Sequence, residues 1–193
     1  MFNAFAKVEV KSDKTQNIEK ALRFLLSKDV LVGIPQEKSS RPEDETITNA
    51  ELAFIHSNGI RERSMRADMA KDVQEKGYHE ALDMYIYSHG SPLWQSPPRP
   101  IIEPAIEDDK EVISELMGEA STAALDGNIQ KANQKLQQAG LEGQAASQDW
   151  FDNPKNKWAP NSPRTVEEKG SDKPLIDTGE LRKAITYVIR ERK

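Results

Sequence analysis

The chain has 193 residues, of which 36% are apolar, 6% aromatic and 31% charged, with a net charge of −5 and no cysteine. That length suits a single domain with a buried core, the acidic balance disfavours general duplex-DNA binding, which needs a basic face, and the missing cysteines exclude disulfides and thiolate metal sites. No apolar run approaches the roughly 20 residues of a membrane-crossing helix, and "MFNAFAKVEV" lacks the basic-then-apolar pattern of a signal peptide; a soluble protein made in the cytoplasm is expected.

Residues 5–10, "FAKVEV", alternate in polarity and predict a strand. In "NIEKALRFLLSK", Ile18, Ala21, Leu22, Leu25 and Leu26 form one helical stripe. The apolar run Val30 to Pro35, stopped by its proline, predicts a buried strand. Residues 36–46 are polar, contain Pro42 and read as a loop. Thr48 and Glu51 then match the Thr-x-x-Glu capping box, opening a short helix that stops at Gly59, a residue suited to a left-handed cap. From 60 to 95 the chain is charged and helical in composition, with Met69, Val73, Leu82 and Ile86 as a weak stripe interrupted at Gly77. In "RERSMRADMAK" acidic residues interleave the basic ones, as on a solvated helix face.

Pro97, Pro98, Pro100 and Pro104 predict a stiff extended segment over 96–106, with Ile101 and Ile102 reaching the core or a neighbour. A second helical block follows over 108–139, striped by Val112, Ile113, Leu116, Met117 and Ala120 and open to a break at Gly127-Asn128. A separate short helix is expected over 143–151. An extended loop over 153–173, holding one helical turn, leads to a final helix, "TGELRKAI", and a strand, "TYVIRER". The mixture predicts an α+β fold: a small, mainly antiparallel sheet packed by helices, with long extended arms. The whole of 1–193 is expected as one domain, with 60–95 as a helical insertion.

Chemistry is sparse. Asp177-Thr178-Gly179 is the active-site tripeptide of retroviral-type aspartic proteases, where two carboxylates share a proton across a symmetric dimer. Here it is followed by the helix formers Glu180 to Ala184. A helix capped by Asp177 in an Asp-x-x-Glu box with Glu180, or by Thr178, is therefore expected, and a dimeric protease with Asp177 as its acid is the rival. His56, His79 and His89 have no metal-ligand spacing. Neither a nucleophile elbow nor a glycine-rich phosphate loop occurs. No catalytic residue, cofactor or metal is expected. Trp94 and Trp158, beside proline-rich loops, are candidate anchors in a partner's pocket.

Four pieces stand in order: Asn49, Ala50, Leu52, Ala53, Ile55, His56 and Gly59; Pro98, Arg99 and Pro100; Trp158, Pro160, Ser162, Pro163 and Thr165; and Leu175, Ile176, Asp177, Thr178, Gly179, Leu181 and Arg182. Together they resemble the tail-completion (neck) proteins of long-tailed double-stranded DNA phages and the related virion-morphogenesis proteins. The chain departs from that pattern in the residues between Gly59 and the Pro-Arg-Pro segment, where relatives have a short loop. The resemblance implies a virion structural protein, not an enzyme, at the head–tail junction. It implies a homo-oligomeric ring, hexameric by tail symmetry, that joins the tail to the head connector, adaptor or stopper and contacts the tail terminator or tube. DNA would pass through without specific binding, and no membrane is involved. A tail terminator ring is the alternative within the class. Pro98, Arg99, Pro100, Ile101 and Ile102 are, with the two tryptophans, the expected subunit contacts, Arg99 through an ion pair that locks an arm.

Overall fold

The computed structural model describes residues 15–41 and 46–192. The strand expected over residues 5–10 lies outside them. The architecture is α+β. Among the described residues the helices are α1 (Thr15–Leu26), α2 (Asn49–Asn58), α3 (Arg63–Lys76), α4 (Tyr78–His89), α5 (Ile102–Asp108), α6 (Lys110–Leu125), α7 (Ile129–Asp149), α8 (Pro163–Lys169) and α9 (Glu180–Ala184). The strands are β1 (Lys28–Gly33), β2 (Ile60–Arg61), β3 (Trp94–Ser96) and β4 (Thr186–Glu191), paired β1 with β4 and β2 with β3. No helix among the described residues is long and apolar enough to cross a membrane. The chain, expected as one domain, is laid out in two compact units, each assembled from discontinuous stretches.

The first unit holds residues up to Leu31, Lys110–Glu142 and the C-terminal residues from Val188. Here α1 packs on α6 through small side chains: Ala21, Ala123, Ala124 and Ala132 are buried together, flanked by Phe24 and Leu25. Alanines let helix backbones approach closely while still excluding water. Strand pairing is marked by Lys28–Glu191 at 2.7 Å, Asp29–Arg190 at 3.2 Å and the Arg192 amide donating to the Ser27 carbonyl at 2.7 Å. One index rises as the other falls, so β1 and β4 run antiparallel.

The predicted break between helices falls where expected. Gly127 takes φ +81°, a conformation that costs glycine little. Its amide bonds to Ala124, and that of Asn128 to Ala123, closing α6. The Asn128 side chain then accepts from the Lys131 amide at 3.0 Å and caps α7. The separate helix expected over 143–151 does not form; α7 continues unbroken to Asp149. Its buried positions, Ala132, Leu136, Ala139, Gly140, Gly143 and Ser147, keep helical spacing but are mostly too small to register as an apolar stripe.

The second unit comprises Val32–Asp109 and Gly143–Tyr187. Its core centres on Ile101, Phe151, Leu181 and Ile185, with Val32, Leu52, Trp158 and Leu175 packed against it. The insertion is a helical hairpin with a core of its own: Met65, Met69, Ala81 and Tyr85 are buried between α3 and α4, which turn at Gly77. Its base is the β2–β3 ribbon, antiparallel, with Ile60 opposite Ser96 and Arg61 opposite Trp94.

Two further expectations are corrected. The extended segment after Ser96 ends at Ile101, because α5 begins at Ile102 and includes Pro104. A proline in the first turn removes an amide that has no helical partner anyway, so it does not forbid this helix. The stretch 153–173 holds the expected helical turn, as the seven-residue α8, and in addition an unexpected 3-10 turn, Pro154–Asn156.

Candidate functional site

The first wall of the site is α2. Thr48 caps it as the sequence predicts: its hydroxyl accepts from the Glu51 amide at 3.2 Å, and the Glu51 carboxylate accepts from the Thr48 amide at 2.9 Å. Ser39 satisfies two more amides, those of Asn49 and Ala50. The Thr48 bonds hold the Glu51 carboxyl below the usual carboxylate range.

At its other end α2 stops on Gly59, φ +71° and ψ 172°, a positive-φ cap outside the left-handed helical basin expected of it. A β-carbon here would lie 2.8 Å from the Pro98 nitrogen, the Ser96 carbonyl oxygen and the Trp94 ring. Glycine is thus required twice, by conformation and by space. Arg61 stacks on the Trp94 ring, its guanidinium carbon 3.4 Å from a ring centroid. That expected partner anchor is engaged within its own chain.

Beyond β3, the extended Pro98-Arg99-Pro100 segment exposes both prolines and buries Arg99 to 6% exposure. The Arg99 amide donates to the His56 carbonyl at 2.7 Å. Its guanidinium reaches the opposite loop: Nε and Nη2 donate to the Ala159 carbonyl at 3.0 and 2.9 Å, and Nη2 also to the Pro160 carbonyl at 3.1 Å. Among the described residues the guanidinium meets carbonyls of its own chain and no ion pair. The planar fork that suits a carboxylate serves two consecutive carbonyls equally well.

The Trp158 indole N–H closes the same latch, donating to the Pro100 carbonyl at 3.0 Å, while its ring stands edge-on to Phe151 at 5.7 Å and 86°. Ile101 anchors the segment in the core, and Ile102 packs against it half-buried.

The last wall is the turn into α9. Leu175 has φ +59° and Gly179 φ +78°. The Asp177–Glu180 capping box does not form: the cap residue is Gly179, and the Glu180 amide finds the Thr178 hydroxyl at 3.4 Å. The helix begins two residues later than a box would require, and the Asp177 carboxylate is left exposed. Arg182 pins the turn by bonding Asp149 and Asp152.

These walls enclose a cleft of about 610 Å³. Arg99, His56, Lys169, Asp177 and Glu180 supply its titratable lining along with Arg41; Leu52, Leu175 and Leu181 supply apolar floor. His56 is half-buried, and its Nδ1 is sealed from solvent with no hydrogen-bond partner among the described residues. Burial, and secondarily the Arg99 charge, push its pKa below the ordinary imidazole value of 6.5. In the sequence His56 has no metal-ligand spacing and stands out only as a member of the first of the four pieces. Its place beside Arg99 depends on a backbone contact that no motif announces. Among the described residues no three His, Asp or Glu side chains are grouped to hold a metal.

The chain matches no protein-family model, no curated protein and no solved structure.

Proposed function

We propose that the chain is a structural protein of a bacteriophage virion: a ring-forming tail-completion subunit at the head–tail junction that joins the tail to the head connector and lets DNA pass. The observation that supports this reading is spatial. His56, Arg99, Pro160, Ser162 and Asp177 come from the four separate sequence pieces that carry the resemblance, and all of them line one cleft. A pattern spread over more than 120 residues of chain and brought to one place is more than four coincidental matches. The net charge of −5 suits a surface that DNA must pass without sticking. The exposed Pro98 and Pro100 remain available to a neighbouring subunit. Heterologous contacts between such subunits close into a ring.

Electron microscopy of particles lacking this one gene product tests the reading. Filled heads beside separate, finished tails are the expected result. Tails of uncontrolled length would reassign the chain to the tail terminator, and normal joined virions would overturn both.

A further inference from the structure

We propose that the cleft beside Arg99 is a binding site for a single carboxylate group carried on a protein segment. Arg99 is a permanent cation, 6% exposed. Buried charges are ordinarily paired, because desolvation of a lone ion costs more than neutral acceptors return. Here the acceptors are two backbone carbonyls, which occupy Nε and both hydrogens of Nη2. Among the described residues no side-chain carboxylate bonds the guanidinium, whose hydrogen bonds are these three. Nη1 is left with two hydrogens for whatever enters the cleft.

The lining selects the ligand. Asp177 and Glu180 stand in the same cleft. Their two charges offset those of Arg41 and Lys169, so Arg99 leaves the lining one net positive charge, which a monoanionic carboxylate neutralises and a dianionic phosphate exceeds. A single free guanidinium nitrogen also suits one carboxylate oxygen better than a tetrahedral oxyanion that needs several donors. The floor of Leu52, Leu175 and Leu181 calls for a carbon chain beneath the acid group, and about 610 Å³ accommodates a short peptide stretch. An acidic side chain and a chain terminus share this chemistry. The site does not rest on the ring-forming role.

The test is a titration of the full-length, isotope-labelled protein, followed by NMR at the Arg99 Nε–H and the His56 ring. Three probes are used: acetyl-Ala-Glu-Ala-amide, acetyl-Ala-Ala-Ala with a free carboxyl terminus, and acetyl-Ala-Gln-Ala-amide. Saturable shifts with a carboxylate probe but not with the glutamine peptide are expected. Which of the two carboxylate probes binds more tightly identifies the source as a side chain or a terminus. Equal shifts with all three probes, or none with either acid, would overturn the site. Arg99→Gln should abolish binding but also loosens the fold. A second variant, Asp177→Asn with Glu180→Gln, therefore removes the repelling charges instead. It should tighten carboxylate binding about fivefold; unchanged or weaker binding would overturn the proposal.

Discussion

Arg99 grips Ala159 twice, Nε and Nη2 both donating to one carbonyl oxygen at 3.0 and 2.9 Å across sixty residues of chain. A side chain singled out for a partner thus holds two loops of its own fold together. Arg99→Ala strands the Ala159 and Pro160 carbonyls and is expected to cost roughly 3 kcal/mol. Arg99→Lys keeps the charge but loses the fork and should fall between the two. Urea denaturation of the three proteins measures the order; equal stability of the lysine variant and the parent would mean the fork geometry is unimportant.

Gly59 and Gly77 both have positive φ, but only Gly59 faces obstruction. Nothing lies within 4 Å of a β-carbon at Gly77, whereas backbone atoms of Ser96 and Pro98 sit 2.8 Å from one at Gly59. Gly77→Ala should cost roughly 2 kcal/mol, the conformational penalty alone. Gly59→Ala should cost well over ~2 kcal/mol, because the obstructing atoms are backbone and cannot swing aside. Thermal melts of the pair separate strain from collision.

The pH dependence follows from His56. Its folded pKa is lowered, so the unfolded chain takes up the proton first as pH falls. Its contribution is complete above the ordinary value of 6.5 and is lost on acidification from there toward the lowered folded value. The melting temperature should fall between pH 7.5 and 5.5, and less steeply in His56→Gln. Parallel profiles for the two proteins would show that His56 is not the group responsible.

Capping distinguishes the two ends of the cleft. Thr48→Ala removes a formed box and should cost about 1 kcal/mol. Asp177→Asn and Asp177→Ala should both be nearly neutral, since that carboxylate caps nothing. A loss at Asp177→Ala comparable to that of Thr48→Ala would restore the capping role that the sequence suggested.

The contrast between those caps shows how far sequence reached. Thr48 and Glu51 are three residues apart and need only each other, so their box was legible from spacing. Asp177 and Glu180 have the same spacing, but Gly179 takes φ +78° between them and shifts the helix start. That choice is made by the surroundings: Leu181 is buried in the core, and Arg182 is pulled onto Asp149 and Asp152. The unbroken length of α7 is hidden in the sequence for a related reason. Its buried face is built of Ala, Gly and Ser, whose burial depends on what packs against them rather than on their own hydrophobicity.

By itself the sequence determined what local physics determines. It placed the capped α2, the helical insertion interrupted at Gly77, the break at Gly127-Asn128 and the α+β mixture, because helical periodicity, caps and glycine conformations act over a few residues. Only the tertiary structure decided the fate of Arg99, Trp94 and Trp158. Each is long and amphipathic, able to serve a partner or its own chain, and the outcome turned on carbonyls, a ring and a glycine that the fold brings alongside from distant positions.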